Sequence, residues 1–166
     1  MLQAFYPRER RKNVYELSPE LLLARGVRGV IFDIDNTLVP HGAPADAAIT
    51  AYFASLRAAG IGACLLSNNG RERVESFACA VGAACIWKAG KPARRGYEQA
   101  MQRLGTSREN TLFVGDQLFT DIWGANRSGL DCVLLDPIDP HEEIQIILKR
   151  IPEKILLFFY EKRKKG

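Results

Sequence analysis

Short apolar runs alternate along this chain with longer stretches in which apolar positions recur three and four residues apart. The short runs predict buried strands and the longer stretches predict amphipathic helices. Strands are expected at residues 29–33, 61–66, 84–86, 111–114 and 132–135, and helices at 18–26, 46–59, 71–80, 92–104 and from about 117 to 128. Because strand and helix alternate without interruption, we expect a parallel sheet of about five strands covered by helices on both faces, a three-layer α/β sandwich.

Two carboxylates, Asp33 and Asp35, follow the first predicted strand. They are two residues apart, so on an ideal strand both would face the same side. Carboxylates that close raise each other's pKa unless a cation joins them or one keeps its proton. A divalent metal beside one carboxylate, with proton transfer by the other, satisfies both conditions. The simpler alternative is a strand-to-helix loop in which these residues act as caps.

Polar residues also follow the next two strands. Ser67 and Asn68 end the second strand and precede a helix, where a hydroxyl and backbone N–H groups can bind a phosphate. Lys91 stands before Pro92 at the following junction and is placed to pair with anionic oxygens. Taken singly, the first pair is more often a helix cap, and a lone lysine is more often only solvated.

Asp116 and Asp121 follow the fourth strand. Carboxylate oxygens are the ligands that Mg²⁺ prefers, so these two residues could complete a Mg²⁺ site with Asp33. Either could instead be a helix cap. The arrangement is more specific than its parts, because all four groups fall at the carboxyl ends of strands, where one shared site would require them.

In order and spacing, the four groups resemble the four motifs of the haloacid dehalogenase (HAD) superfamily over residues 27–135. The residues within these motifs are similar to those of the YqeG-type branch of subfamily IIIA, which is related to the mitochondrial phosphatidylglycerophosphate phosphatases. The segment from Asp136 to His141 resembles that branch less. The resemblance implies a HAD-like Rossmannoid fold and a Mg²⁺-dependent phosphatase.

The resemblance also implies roles for individual residues. Asp33 would be the nucleophile that forms an aspartyl-phosphate, and Asp35 would act as general acid and then as general base. The remaining implied roles are phosphate binding by Ser67, the Asn68 amide and Lys91, support by Thr37 and Asp121, and Mg²⁺ binding by Asp33, the main-chain carbonyl of Asp35 and Asp116.

Motif spacing bears on substrate size. HAD enzymes for small metabolites usually carry a cap domain inserted after the first or second motif. Here one loop, one helix and one strand fill the interval from Asp33 to Ser67, and one helix and a short strand fill the interval from Ser67 to Lys91. We therefore expect no cap domain. An open site suits a large or surface-bound substrate, although a partner in an oligomer could also supply the lid.

The positive charge is concentrated at the C-terminal end. The chain has a net charge of +4, of which residues 149–166 hold +5 and residues 1–148 hold −1. Apolar residues recur there at helical spacing, and Pro152 is expected to break or kink the helix. A basic amphipathic helix is typical of a membrane-surface element; the alternative is an ordinary terminal helix that packs on the sheet. The apolar positions are Ile144, Ile147, Leu148, Ile151, Ile155, Phe158 and Phe159.

At 166 residues the chain is expected to form a single domain, 1–166. It would comprise an N-terminal arm and helix at 1–26, a catalytic core at 27–135 and the basic helical segment at 136–166. Residues 1–16 form a polar arm with a basic cluster, of the kind that is usually solvated but could pack across the domain. The sequence leaves the oligomeric state open, and His41 and His141 receive no role.

Four cysteines occur without a C-x-x-C pair, so zinc is not expected and we interpret them as reduced, mostly buried thiols. No run reaches the length of a membrane span and no signal segment opens the chain. These features favour a cytoplasmic protein, at most peripheral at a membrane surface. No nucleic-acid partner is expected, because no aromatic platform accompanies the basic residues.

The favoured hypothesis is a Mg²⁺-dependent phosphatase that acts on a phospholipid head group such as phosphatidylglycerophosphate. One alternative is the same chemistry on a soluble metabolite or on a nucleic-acid or protein phosphoester. The other is a binding protein that keeps the pocket but works through a partner.

Overall fold

One six-stranded parallel sheet forms the centre of the molecule in the computed structural model, which describes residues 2–139 and 144–164. The order across the sheet is β1-β6-β5-β2-β3-β4, and every neighbouring pair is parallel. The predicted parallel α/β sandwich is confirmed, with one strand more than expected. The strands are β1 (Glu9–Arg11), β2 (Gly29–Phe32), β3 (Gly62–Leu66), β4 (Ala84–Ile86), β5 (Thr111–Gly115) and β6 (Asp131–Leu135).

The α-helices lie between the strands, close to where the sequence predicts them, except the last, which follows β6. They are α1 (Pro19–Ala24), α2 (Ala47–Ala58), α3 (Arg71–Val81), α4 (Arg94–Leu104), α5 (Trp123–Arg127) and α6 (Ile144–Lys164). Two boundaries differ from expectation: α4 begins two residues after Pro92, and the helix after β5 is divided into a π-helix, Leu118–Ile122, followed by α5.

The core lies on both faces of β2, whose four residues are all buried. Successive side chains of a strand point to opposite faces, so Phe32 packs with Phe53 of α2 and Phe77 of α3, while Ile31 packs with Tyr97 of α4. The strand that carries the first acidic motif is therefore clamped between two helical layers. Its carboxyl end is held in a fixed position.

The N-terminal arm is not simply solvated, because residues 9–11 form the edge strand β1. Glu9 lies opposite Val133 and Arg11 opposite Leu135, so β1 covers the edge of β6 that would otherwise expose backbone groups. The sequence pattern could not show this strand. It is three residues long and carries only charged side chains, as edge strands often do.

Helix α6 runs without interruption through Pro152, so a break there is wrong, while the alternative of a kink stays a prediction. Glu153 is buried, and its carboxylate accepts a hydrogen bond of 2.9 Å from the N–H of Leu118, the first residue of the π-helix. Leu156 and Leu157 pack against the core cluster that includes Leu118 and Ile122 of the π-helix. One face of this part of α6 is therefore docked on the domain.

The opposite face of α6 is exposed. Ile155, Phe158 and Phe159 are 56%, 64% and 49% accessible, and the basic residues Lys154 and Lys162 are exposed on the same helix. The side chains of residues 144–151, whose packing was predicted, lie outside the described part of the chain. His141 and Lys165 also lie outside it.

Between Asp33 and Lys91 the chain forms only α2, β3, α3, β4 and their loops, so no cap domain is inserted in this fully described interval. None of the helices in the described ranges is both long and apolar enough to span a membrane. Of the four thiols, Cys64 and Cys132 are buried, Cys85 is half-buried and Cys79 is exposed. The expectation of mostly buried cysteines therefore fails for Cys79.

Candidate active site

The carboxyl ends of β2, β3, β4 and β5 bring the predicted residues to one edge of the sheet. Strand pairing continues past β2, since the N–H of Asp33 donates to Val114 O at 2.9 Å. It also continues past β3, where the N–H of Ser67 donates to Ile86 O at 3.0 Å. Parallel strands end together, so residues distant in the chain meet here.

Lys91 connects two of the carboxylates. Its Nζ lies 2.5 Å from Asp33 Oδ1 and 2.7 Å from Asp121 Oδ1, and all three residues are buried. Burial favours a lower pKa for Lys91, but the carboxylates of Asp121 and Asp33 outweigh it and raise that pKa above its usual value. Burial raises the pKa of Asp33 to about 6, although the ammonium of Lys91 works in the opposite direction. Lys91 is therefore held as a cation.

A third carboxylate is linked to Asp33 through Thr37. The Thr37 hydroxyl lies 3.2 Å from Asp33 Oδ2 and 3.1 Å from Asp116 Oδ1, and it has a single proton to donate. Asp33, Asp116 and Asp121 each offer an oxygen within 4.8 Å of the others. Three buried carboxylates against one ammonium leave an excess of negative charge, which a hard divalent cation would neutralise. The donor set and its charge fit such a metal.

Asp121 also closes the loop that follows β5. Its Oδ2 accepts hydrogen bonds from the N–H of Asp116 at 3.2 Å and of Gln117 at 3.0 Å. The loop approaches so closely that a Cβ on Gly115 would lie 2.6 Å from Asp121 Oδ2. The helix-cap alternative for Asp121 is wrong, because neither the π-helix nor α5 has a side-chain cap hydrogen bond. One Asp121 oxygen fixes the loop and the other faces the ammonium of Lys91.

Ser67 and Asn68 organise the loop opposite Asp33. Ser67 Oγ accepts a hydrogen bond from the N–H of Asn69 at 3.1 Å, and the hydroxyl keeps its own proton for a ligand oxygen. The Asn68 side chain bonds the main chain of Lys91 twice, from Lys91 N at 2.8 Å and to Lys91 O at 3.1 Å. Helix α3 is capped by Gly70 without a side-chain hydrogen bond, so the alternative that this serine or asparagine caps the helix is wrong.

Asp35 is held by a separate set of donors. Its Oδ1 accepts from the N–H of Gly42 at 2.8 Å and from Arg73 Nη2 at 3.0 Å, and its Oδ2 accepts from the Asn69 amide. Arg73 lies over the ring of Phe77, with Cζ 5.3 Å from the ring centroid. Sequence reasoning assigned no role to Asn69, although it follows Ser67 and Asn68 in the same motif, and Arg73 carries no motif signal that distinguishes it from a surface residue.

These groups surround a cavity of about 290 Å³ at the sheet edge. Asp33, Asp35, Ser67, Asn68 and Lys91 line it together, whereas Thr37, Asp116 and Asp121 are buried side chains bonded to or beside that wall. Further lining residues that the sequence did not single out are Asn36, His41, Asn69, Gln117 and Thr120.

Asn36 ties the chain after β6 to the rim of this cavity. It has a left-handed backbone conformation, with φ at +62°, which asparagine tolerates better than most residues. Its main-chain oxygen accepts from the N–H of Ile138 at 3.2 Å, and its side-chain oxygen accepts from the N–H of Asp139 at 3.3 Å. The segment that resembles the known branch least therefore touches the site.

The sequence of this chain is similar to known proteins. Residues 88–136 match the family model described as HAD-hydrolase-like. The chain is 36% identical over 140 residues to the "Probable phosphatase YqeG" of Bacillus subtilis, covering 83% of this chain and 81% of that protein.

Solved structures share the fold. One is a putative HAD superfamily (subfamily III A) hydrolase from Legionella pneumophila, with a TM-score of 0.55 and 20% identity over 72% of this chain and 71% of that one. Another is the cobalt-bound deoxy-D-mannose-octulosonate 8-phosphate phosphatase of Haemophilus influenzae, with a TM-score of 0.52 and 17% identity over 68% of this chain and 80% of that one.

Proposed function

We propose a Mg²⁺-dependent mechanism and a phospholipid substrate for this chain, which belongs to the HAD-like hydrolases and, within them, to the family of the probable phosphatase YqeG. It is a phosphoric monoester hydrolase, and its substrate carries a phosphate. The observation that carries the mechanism is the single buried cluster in which Lys91 bridges Asp33 and Asp121 while Thr37 links Asp33 to Asp116.

Asp33 is the nucleophile in this proposal. Its carboxylate attacks phosphorus, a P–O bond to Asp33 forms, and the bond from phosphorus to the leaving oxygen breaks. Lys91 orients Asp33 through Oδ1 and Thr37 does so through Oδ2, so the carboxylate is fixed from both sides. Such positioning is the main protein contribution to in-line phosphoryl transfer.

Asp35 handles protons in both halves of the reaction. It gives a proton to the leaving oxygen and then takes one from the water that hydrolyses the aspartyl-phosphate. The N–H of Gly42, Arg73 and the Asn69 amide hold its carboxylate in place at the wall of the cavity. Ser67, the main-chain amide of Asn68 and Lys91 would hold the phosphoryl oxygens.

Mg²⁺ would be held by the carboxylates of Asp33 and Asp116 and by the main-chain carbonyl of Asp35, with Asp121 beside them. HAD phosphatases use a divalent metal, and the structural neighbour from Haemophilus influenzae is cobalt-bound. When bound, the ion reduces repulsion between the anionic nucleophile and the phosphate and stabilises the charge of the transition state. We expect EDTA to abolish turnover and Mg²⁺ to restore it.

A phospholipid head group fits the surroundings of this site. The cavity has no cap over residues 33–91, so a large substrate can reach it. The exposed face of α6, formed by Ile155, Phe158 and Phe159 with Lys154 and Lys162 nearby, has the composition of a peripheral membrane contact. We propose dephosphorylation of phosphatidylglycerophosphate or a related lipid at the membrane surface.

Phosphate release from phosphatidylglycerophosphate in mixed micelles tests the proposal. We expect Mg²⁺-dependent release by the wild type and none by Asp33→Asn, with Asp131→Asn as control, because Asp131 lies exposed at the other end of the sheet. Asp33-dependent release from soluble phosphoesters alone would keep the mechanism and refute the lipid substrate. Metal binding without turnover of any phosphoester would favour the partner-binding alternative.

A further inference from the structure

A second concavity adjoins the catalytic cavity on the side of Asp35. It is a groove of about 400 Å³ between the loop before α2 and one face of α3. We call it the Arg73 groove; the residues that matter here are Gly42, Pro44, Arg73, Phe77 and Ala80.

The Arg73 groove and the catalytic cavity share a wall. His41 lines the cavity and the next residue, Gly42, lines the groove. Gly42 and Arg73 are also the two groups that hold Asp35 Oδ1, at 2.8 and 3.0 Å. Two residues of the groove wall therefore contact the carboxylate that, in the proposed mechanism, gives its proton to the leaving oxygen.

The lining of the groove combines apolar surface with a cationic donor. Pro44, Phe77 and Ala80 present apolar atoms, and Arg73 lies over the Phe77 ring with its Cζ 5.3 Å from the ring centroid. The Arg73 Nε is buried and has no hydrogen-bond partner among the described residues, although buried donors are normally paired. The Arg73 side chain as a whole keeps 23% of its surface accessible, so an acceptor oxygen of a ligand can approach it from the groove. The acidic Glu72 also lines the groove, so a ligand that is anionic throughout is disfavoured.

We propose that the Arg73 groove binds the leaving-group side of the substrate, an amphipathic alcohol. Its acceptor oxygens would lie at Arg73 and its apolar portion would lie along Pro44, Phe77 and Ala80. The inference rests on the proposed phosphatase function, because it is the leaving oxygen that must stand beside Asp35. The groove assignment goes beyond that function, because it names the surface of this chain that binds the part of the substrate without the reacting phosphate.

A bulky substitution in the groove, at a position that does not contact Asp35, tests this assignment. Ala80 is exposed, so Ala80→Trp should fold and obstruct the groove without touching Asp35. Cys79→Trp adds the same ring one position along α3, on an exposed surface outside the groove lining. Both variants are compared with the wild type on two substrates that share the reacting end, dihexanoyl phosphatidylglycerophosphate and glycerol 3-phosphate.

We expect Ala80→Trp to lower the ratio of kcat/KM for the lipid to kcat/KM for glycerol 3-phosphate by about ten-fold or more. Cys79→Trp should change that ratio by less than about two-fold. An unchanged ratio in folded Ala80→Trp, or an equal fall in both variants, would overturn the groove assignment.

A second measurement separates the groove from the phosphatase proposal. If the wild type releases phosphate from neither compound, the proposed function fails, and the groove is then judged by binding of the phosphate-free alcohol, dihexanoyl phosphatidylglycerol. Titration calorimetry should show binding to the wild type that Ala80→Trp weakens about ten-fold and Cys79→Trp does not. No binding, or equal binding by all three proteins, would refute the groove as well.

Discussion

Gly115 shows how a residue without a side chain can determine the position of a charged one. It ends β5, and a Cβ there would lie within 2.8 Å of three atoms of the Asp121 side chain. Since real Cβ atoms do not approach so closely, Gly115→Ala must displace Asp121. That shift would disturb both the loop N–H groups and the partner of Lys91.

We therefore predict that Gly115→Ala lowers kcat/KM on any phosphoester by about 100-fold, the cost of a displacement of roughly 1 Å in a catalytic arrangement. Steady-state kinetics checks this result. Gly70→Ala is the matched control, because φ there is −69° and an added Cβ meets nothing within 4 Å. Equal kinetics for the two variants would show that Asp121 has no part in positioning Lys91.

The four thiols should differ sharply in reactivity. Burial raises the pKa of Cys64 and of Cys132 to about 12, so neither forms a thiolate near pH 8, and the thiolate is the reactive species. Cys79 is exposed, and burial raises the pKa of the half-buried Cys85. We predict that iodoacetamide at pH 8 modifies Cys79 first, Cys85 more slowly and the other two only in denaturant. Peptide mass mapping over time would contradict this if either buried thiol reacted in the native protein.

At the scale of elements, the contact between α6 and the π-helix depends on one buried carboxylate. Glu153→Ala would leave the N–H of Leu118 without its hydrogen bond, and an unpaired buried donor costs about 1–3 kcal/mol. We predict a decrease of that size in the free energy of unfolding, measured by urea denaturation. The control is Lys154→Ala, an exposed neighbour on the same helix. Alanine favours helix at both positions, so a loss seen only at position 153 cannot arise from helix propensity.

Periodicity in the sequence predicted most elements because the core imposes it. The buried residues of β2, β3 and β5 form apolar runs, and each helix between them presents an apolar stripe. Elements outside the core lacked that signal: β1 is a charged edge strand of three residues, and the π-helix before α5 is fixed by Asp121 and Glu153 rather than by propensity. Pro152 remained helical although its ring opposes an intrahelical hydrogen bond.

Those residues of the candidate site that directly follow a strand could be predicted from the sequence. Asp33, Ser67 and Asp116 directly follow strands, and parallel pairing alone brings such positions together. The donors around Asp35 could not be found in this way. Arg73 lies on the first turn of α3 and reaches Asp35 across the sheet edge, a contact that depends on the helix axis rather than on any local pattern.

At the scale of the whole molecule, we propose that the exposed face of α6 binds a membrane surface while the catalytic edge of the sheet acts on a lipid head group there. Burying an exposed Ile or Phe side chain is worth about 1.5–3 kcal/mol, and each basic residue near an anionic leaflet adds about 1 kcal/mol. Three such apolar side chains on one short stretch of helix would therefore supply most of the affinity for a lipid surface.

We predict that changing Ile155, Phe158 and Phe159 together to Ser abolishes sedimentation with vesicles that contain anionic lipid and leaves hydrolysis of a soluble phosphoester intact. Changing the exposed Tyr15, Trp87 and Ile138 to Ser removes as many apolar side chains from elsewhere on the surface and should leave vesicle binding unchanged. Raising the salt concentration should weaken binding of the wild type, because the contribution of Lys154 and Lys162 is screened beyond about 10 Å at 0.1 M. If both triple variants bind vesicles as the wild type does, this face of α6 takes no part in membrane contact, and the open site must receive its substrate from solution.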